Sequence, residues 1–306
     1  MNIMNKKFVL FFAVILVNCT VSLAQSLNIA TYNIRYDNPG DSLDSWKYRK
    51  SVVASLIQFH EFDVFGIQEG LINQMKDLSE ALPDYAYTGA GRDDGKEAGE
   101  FSAIFYKKSR FKLLKSGMFW LSGTDVSKPN KGWDAALPRV CTWAEFQDKN
   151  SGLKFFHFNT HFDHVGVVAR RESASLILRM IDKIAGNAHV ILTGDFNVDQ
   201  NNESYGVINN SGKLKDSYET ASFKYALNGT FNSFNINSKT ESRIDHIFLS
   251  SKFKAVKYGV LTDCYPGGSN EAGKVGSANF PREVSLKRSQ ARFPSDHFPV
   301  FVKVNY

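Results

Sequence analysis

The sequence predicts an α/β fold in a single domain. Short runs rich in β-branched and aromatic residues alternate with segments whose apolar residues recur at helical spacing, and no linker, internal repeat or low-complexity tract divides the chain. The 306 residues are enough to bury a large α/β core, and 43% hydrophobic and 22% charged residues are ordinary for a globular enzyme.

The elements follow in order. Leu27–Ile34 reads as a strand. Trp46–Phe59 reads as a helix, with Val52, Val53, Leu56 and Ile57 on one stripe. Val64–Gln68 is a second strand, and Leu71–Leu82 a helix stopped by Pro83. Phe101–Tyr106, Thr142–Phe146 and Phe155–Thr160 are strands. Ala169–Ile184 is a helix carrying Leu176, Ile177, Met180, Ile181 and Ile184, and Val190–Thr193, Ile244–Leu249 and Val300–Val304 close the set. Three long loops remain: the Gly-rich, charged Thr88–Gly99; Ser122–Pro138, which contains Trp133; and the Gly-rich, basic Thr262–Pro294. Loops of this length in a compact domain are often binding loops, and the third is expected to select the substrate.

The first 24 residues form a separate object. Lys6 and Lys7 precede an apolar run, Phe8–Val17, and Ser22-Leu23-Ala24 offers a small-x-small cleavage site: the pattern of a secretory signal peptide. The expectation is residues 1–24 as signal peptide, residues 25–306 as the mature domain, and a secreted or periplasmic location. Cys19 offers a lipoprotein alternative that the preceding Asn18 fits poorly. The apolar run is short for a permanent anchor, and no later run is long enough to span a membrane. Removing two lysines leaves 35 basic against 31 acidic residues, a net charge of +4 instead of +6. That permits a polyanionic partner without arguing for one. Cys141 and Cys264 either pair or stay as thiols, and no CxxC or Cys/His cluster suggests structural zinc.

The informative pattern is positional: apolar strand runs end in carboxylates, amides or histidines. Asn33 closes the first, Gln68-Glu69 the second, Asn159-Thr-His161 another, and Gly194-Asp195-Phe-Asn197 another. Asp245 opens a strand, and Ser295-Asp296-His297 precedes the last. Strands of one sheet deliver their ends to a shared edge, so these groups could converge. Glu69, Asp195 and Asp296 are hard oxygen ligands suited to Mg²⁺ or Mn²⁺. Asn33 and Asn197 bind oxygen or orient a nucleophile without repelling an anion, and His161 and His297 can donate to phosphoryl oxygens or a leaving group. Singly, Gly194-Asp-Phe-Asn197 reads equally as a turn and His297 as a structural histidine; together they suit phosphoester hydrolysis. No G-x-S-x-G or P-loop offers a different chemistry.

These motifs, Thr-Tyr-Asn33, Gln68-Glu69, Asn159-Thr-His161, Gly194-Asp195-Phe-Asn197, Asp245 and Ser295-Asp296-His297, closely resemble in their order the endonuclease/exonuclease/phosphatase superfamily, from about Leu27 to Val304. The resemblance implies a DNase I-like four-layered α/β sandwich, with two packed mixed β-sheets flanked by helices. It implies Glu69 as principal metal ligand with Asn33 beside it and Asp296 in the metal set. It makes Asp195 the group that orients or activates water, with Asn197 holding it or the phosphate. His297 falls at the scissile phosphate with Asp245 as its carboxylate partner, and His161 pairs with Glu100. Arg35 stands where some nucleases carry an acidic residue, and Asp163-His164 is similar to a secreted bacterial subgroup. Asp163 reads equally as a local turn or a substrate contact. His164, Arg139 and Arg170 are candidate substrate contacts, although a structural or solvated role is the simpler reading of each arginine.

The expected reaction is in-line attack of water on phosphorus by a metal-dependent enzyme acting as a monomer. Carboxylate partners are expected to raise the pKa of both His161 and His297. The substrate is a nucleic acid, a phospholipid head group or a soluble phosphoester, monoester or diester; which residue is the general base stays open. The alternative is a catalytically silent secreted module that binds phosphoesters on the same fold, against which the complete set of site residues argues.

Overall fold

The computed structural model describes residues 25–267 and 289–306. The predicted signal peptide, residues 1–24, and positions 268–288 of the predicted substrate-selecting loop lie outside the described residues.

The chain runs through β1 (Ser26–Asn33), a 3-10 turn at Pro39–Asp44, α1 (Trp46–Phe59), β2 (Val64–Gln68), α2 (Ile72–Ala81), β3 (Tyr85–Thr88), β4 (Ile104–Lys107), β5 (Phe111–Trp120), β6 (Val140–Asp148) and β7 (Lys154–His161). It continues through α3 (Val167–Ala185), β8 (His189–Asp195), α4 (Glu203–Asn209), β9 (Leu214–Asp216), α5 (Ser217–Thr220), β10 (Phe223–Tyr225), β11 (Asp245–Ser250), β12 (Lys254–Val260), β13 (Tyr265–Gly267), β14 (Gln290–Arg292) and β15 (Val300–Asn305). One mixed sheet has the order β10-β12-β15-β1-β2-β4-β3 and the other β5-β6-β7-β8-β11-β9.

The period of two along a strand sorts residues into layers. In β1, Leu27 and Ile29 join the core between the sheets, while Ala30 and Tyr32 turn toward the side packed with α1 and α2. In β8, Ile191 faces the other sheet, while Val190 and Leu192 pack with Ile177 and Ile181 of α3. Helix, sheet, sheet and helix therefore stack as the four layers expected. Each fully buried Leu, Ile or Phe contributes roughly 1.5–3 kcal/mol of transfer free energy.

The same parity puts Thr31, Gly66, Gln68, Asn159 and Thr193 between the sheets, where the core turns from apolar to polar. Gln68 Nε2 donates to Asn159 Oδ1 at 2.7 Å and to Thr31 Oγ1 at 3.0 Å. Asn159 Nδ2 donates to the Ile67 and Ala103 carbonyls at 2.8 and 3.0 Å, and Thr193 Oγ1 donates to Asn159 Oδ1 at 2.9 Å. Two strand-end amides that the sequence groups with the catalytic motifs thus fasten one sheet to the other.

The long central elements match their expected positions to within a few residues. The edge strands β3, β5, β9 and β10, and β12 next to β10, were not read from the sequence. The flanks of the long Thr262–Pro294 loop form the β13–β14 ribbon, pairing Tyr265 with Arg292 and Gly267 with Gln290. Cys141 is buried, Cys264 is exposed, and both are unpaired. Among the described residues, no helix is long and apolar enough to cross a membrane.

Gly66 tests the inter-sheet layer. A Cβ there would stand 2.1 Å from Asn159 Oδ1 and 2.5 Å from Thr193 Oγ1. Gly66→Ala must push the sheets apart or break the amide network, at a cost of roughly 3 kcal/mol from overpacking plus a lost buried hydrogen bond. Urea unfolding measures it; a loss below about 1 kcal/mol would mean that the layer yields freely.

Candidate active site

Strand register explains why distant motifs meet. Asn33 lies beside Gln68 in the parallel β1–β2 pair, and His161 beside Asp195 in the parallel β7–β8 pair. Antiparallel β11 starts at the same edge, placing Asp245 opposite Asp195. Parity gives Asn33, His161, Asp195 and Asp245 the inter-sheet face, just beyond the polar layer.

The Asn33 side chain stands between two carboxylates. Its Nδ2 donates to Glu69 Oε1 at 3.0 Å and to Asp195 Oδ2 at 2.9 Å, while its Oδ1 accepts the Arg35 N–H at 3.0 Å. Glu69 Oε2 accepts the Tyr36 N–H at 3.1 Å. Asp195 Oδ1 accepts the Asn197 N–H at 2.9 Å, and Asn197 Nδ2 donates to the Phe162 carbonyl at 3.0 Å. Gly194-Asp-Phe-Asn197 is therefore a turn, and it sets the Asp195 carboxylate at the edge shared by the other strand ends. Arg35, Glu69 and Asn197 all have positive φ, at 57°, 64° and 50°. Each costs on the order of 1 kcal/mol, strain typical of functional sites.

The residues leading into β15 are tied to the same place. Ser295 Oγ donates to the Asn33 carbonyl at 2.7 Å. Arg49, fully buried on α1, donates to the carbonyls of Asp44, Ile34, Arg35 and Pro294 and so clamps the two site loops together. Burial, then the Glu69 charge, push Asp296 up to about 6, with His297, Arg35 and Arg49 opposing. Burial and the Asp245 charge likewise raise Asp195 above the ordinary carboxylate range.

The two histidines differ in charge. His297 Nδ1 lies 2.9 Å from Asp245 Oδ2. Burial opposes charge on this ring, but Asp245 and Asp195 outweigh it and hold its pKa well above the ordinary value. His161 goes the other way. Burial first, then the Arg139 guanidinium, push it down to about 3 against the pull of Asp195 and Glu69. The expectation of a raised His161 pKa is thus corrected. Its intended partner Glu100 is 3.6 Å from Nδ1 and is held in a two-pronged pair by Arg92, at 2.6 and 2.9 Å.

A cavity of about 500 Å³ opens over these groups. Glu69, Glu100, His161, Asp195, Asn197, Asp296 and His297 line it, as do the substrate candidates Arg139 and His164. Arg170 is not among the lining residues; its Nη1 donates to the Asp163 carbonyl at 3.0 Å. Asp163 resolves to a structural role, with its carboxylate accepting the backbone N–H groups of Ala136, Leu137, Val165 and Gly166. Sequence reasoning missed Tyr36, Leu137 and Phe231 on the wall, together with Arg49 and Arg92 behind it. Only Arg92 carried a signal, its place in the Gly-rich loop.

The donor set fits a hard divalent cation. Glu69, Asp195 and His297 each bring a ligand atom within 4.8 Å of the others, and Asp296 lines the same cavity. An imidazole held as a cation has no lone pair to offer, which would leave the carboxylates to hold an ion. Anion-binding donors and carboxylates sharing one cavity suit hydrolysis at a phosphoryl centre.

The charge assignment is directly observable. Over roughly pH 5 to 8, NMR titration in the presence of chelator should find His297 cationic and His161 neutral. Asp245→Asn removes the main charge favouring the cation and should lower the His297 pKa. A His297 resonance that titrates near 6.5 in both proteins would overturn the pairing.

The sequence matches the Endonuclease/Exonuclease/phosphatase family over residues 30–297. A solved structure of an endonuclease/exonuclease/phosphatase family protein from Bacteroides thetaiotaomicron is 49% identical with a TM-score of 0.85, covering 93% of this chain and 99% of that one. The mannosyl-6-phosphatase of Bacteroides thetaiotaomicron VPI-5482 is 48% identical with a TM-score of 0.84, over 92% of this chain and 100% of that one. An uncharacterized protein of Acanthamoeba polyphaga mimivirus is 32% identical over 222 residues, 68% of this chain and 81% of that protein. With its two mixed sheets between helices and a family match over most of its length, the chain belongs to the endonuclease/exonuclease/phosphatase family, a phosphoesterase/nuclease-type hydrolase on the DNase I-like fold.

Proposed function

We propose that this chain is an exported, divalent-metal-dependent phosphomonoesterase that removes the 6-phosphate from mannosyl or closely related hexosyl units. The observation that carries the substrate is the 48% identity, over the whole of that chain, to the mannosyl-6-phosphatase. The cavity of about 500 Å³ is within the usual range for a small ligand. Phe231, exposed at the wall and edge-on to His297 with centroids 5.0 Å apart, offers an apolar face to a sugar ring. Export is supported by Lys6, Lys7, the Phe8–Val17 run and the Ser22-Leu-Ala24 site.

Glu69 would hold Mg²⁺ or Mn²⁺, with Asp296 beside it; bound there, the ion would supply positive charge to the phosphoryl group. Asp195, its basicity raised by burial, accepts a proton from the water that attacks phosphorus in line with the departing sugar oxygen. His297, cationic against Asp245, donates from Nε2 to a phosphoryl oxygen as charge grows there. Asn33 keeps the two carboxylates apart, and the Asn197 N–H fixes the rotamer of Asp195. The departing sugar oxygen takes a proton from solvent and Asp195 later releases the one it accepted, so the products are the sugar hydroxyl and inorganic phosphate.

Mannose 6-phosphate, p-nitrophenyl phosphate and bis-p-nitrophenyl phosphate, each assayed with chelator and then with added Mg²⁺ or Mn²⁺, separate the readings. Chelation should abolish turnover, metal should restore it, and both monoesters should exceed the diester by about tenfold or more in kcat/KM. A preference for the diester sinks the monoesterase reading, undiminished activity in chelator sinks metal dependence, and no turnover at all favours a silent binding module. For export, mass spectrometry on protein from the native host should find the mature chain starting near Gln25; an intact Met1 in a soluble cytosolic pool contradicts it.

A further inference from the structure

We propose that Arg139 makes this cavity select phosphomonoesters over phosphodiesters, by donating from its free Nη1 to the third peripheral oxygen that only a monoester carries. The inference rests on the hydrolase reading of the site and adds a residue that sets its preference.

Arg139 sits just before β6 with 4% of its surface exposed, yet it lines the cavity with His161 and Asp195. Two of its three nitrogens are engaged. Nε donates to Asp163 Oδ2 at 3.3 Å, and Nη2 donates to His164 Nδ1 at 3.0 Å. Nη1 is buried and has no partner. Leaving a buried guanidinium nitrogen unmet is unfavourable, and the neighbouring acids do not relieve it. Asp163 is occupied by backbone N–H groups, and Glu100 is closed off by Arg92. Arg92 and Arg170 also each leave a buried nitrogen unmet, but of the three only Arg139 lines the cavity.

Several other donors near the cavity are committed, and His297 Nε2 is already assigned to another phosphoryl oxygen. Asn33 Nδ2 is shared by Glu69 and Asp195, and Asn197 Nδ2 by the Phe162 carbonyl. Arg35 pairs with Asp41 through two nitrogens and faces Asp296 at 3.7 Å with the third. A diester presents two peripheral oxygens and one negative charge. A monoester near neutral pH presents three and close to two charges. A guanidinium N–H that meets the third oxygen forms a charge-assisted bond. In a diester the same position holds a second ester group, and Nη1 stays unmet. Sites built to hydrogen-bond one group discriminate strongly against analogues that lack it.

The test compares kcat/KM on p-nitrophenyl phosphate and bis-p-nitrophenyl phosphate, with metal, in the wild type, Arg139→Met and Arg139→Lys. Wild-type preference alone tests the monoesterase reading; the change in the ratio tests the inference. Arg139→Met should lose about a hundredfold on the monoester, the scale of a removed oxyanion donor, and much less on the diester, so the ratio falls about tenfold or more. Arg139→Lys, which keeps the charge without the fork, should fall between. Equal losses on both substrates in folded protein, or no loss, overturn the inference, and a wild type that prefers the diester overturns both readings. If the wild type turns over neither, calorimetry with inorganic phosphate decides: unchanged affinity in Arg139→Met overturns the inference, and a loss of about tenfold or more upholds it. Should Arg139→Met fail to fold, His164→Glu at the exposed neighbour sets a carboxylate on Nη2, with Val165→Glu as the control for a general field. A fall in the ratio confined to His164→Glu supports the assignment, and an equal response in both overturns it.

Discussion

The contact on which the rest depends is the hydrogen bond from Gln68 to Asn159 across the two sheets, 2.7 Å long and fully buried. Sheets packed face to face normally bury apolar side chains throughout, because each unmet polar group costs on the order of 1–3 kcal/mol. Here the interior grades from Leu27, Ile29 and Val64 through Thr31, Gln68, Asn159 and Thr193 to the charged edge at Glu69, Asp195 and Asp245. The amides are the transition layer. Their N–H groups and the Asn159 oxygen find partners in one another, in Thr31 and Thr193 and in the backbone, and Gln68 Oε1 alone of the amide atoms finds none. They also fix the spacing of the strands whose next residues are Asn33, Glu69, His161 and Asp195. Gly66 completes the layer by omission, since the room its missing side chain leaves is filled by the Asn159 amide.

Beyond that layer the backbone is held by polar clamps. Arg49 carries no carboxylate partner in its hydrogen bonds and spends them on four carbonyls, two of them flanking the strained Arg35 and one just before Ser295. A buried cation used this way joins segments 245 residues apart, as the Arg49 to Pro294 bond shows. It also lends positive field to Asp296, whose ionisation burial disfavours. The three positive-φ residues persist because each is held by neighbours: Arg35 by Asp41, Glu69 by Asn33 and Tyr36, and Asn197 by Asp195 and Phe162. Strain at such positions needs surroundings that over-determine the conformation.

The central strands and the long helices were legible because their signals are local. Val64–Gln68 is buried throughout and reads as an unbroken apolar run, while Trp46–Phe59 shows the 3.6 period. β5 escaped because it is half exposed, carries Lys112, Lys115 and Gly117, and breaks its ladder between Leu113 and Lys115. Among the site residues, those at strand ends were legible by type and place. What the sequence hid is which of two acceptors a side chain chooses. Asp163 could have touched substrate but closes a loop on four backbone N–H groups. Glu100 could have served His161 but answers to Arg92. Such competitions are decided by angstrom-scale differences between groups far apart in the chain, and no spacing rule carries them.

That competition also settles how one site holds two histidines in opposite charge states. Both rings are almost fully buried, so desolvation disfavours the cation in each. Both also face the same Asp195 oxygen, His161 at 3.5 Å and His297 at 3.8 Å, so Asp195 does not distinguish them. The difference lies on the far side of each ring. Behind His297 stands Asp245, whose Oδ1 has no other partner and whose Oδ2 is free to accept from Nδ1 at 2.9 Å. Behind His161 stands Glu100, already neutralised by Arg92, with Arg139 adding a second positive charge nearby. A carboxylate with no competing cation carries its imidazolium into the interior; one with a competing guanidinium does not. Of these two rings the cavity therefore receives one cation, His297 against Asp245, while the neutral His161 lies under the influence of the Arg139 guanidinium.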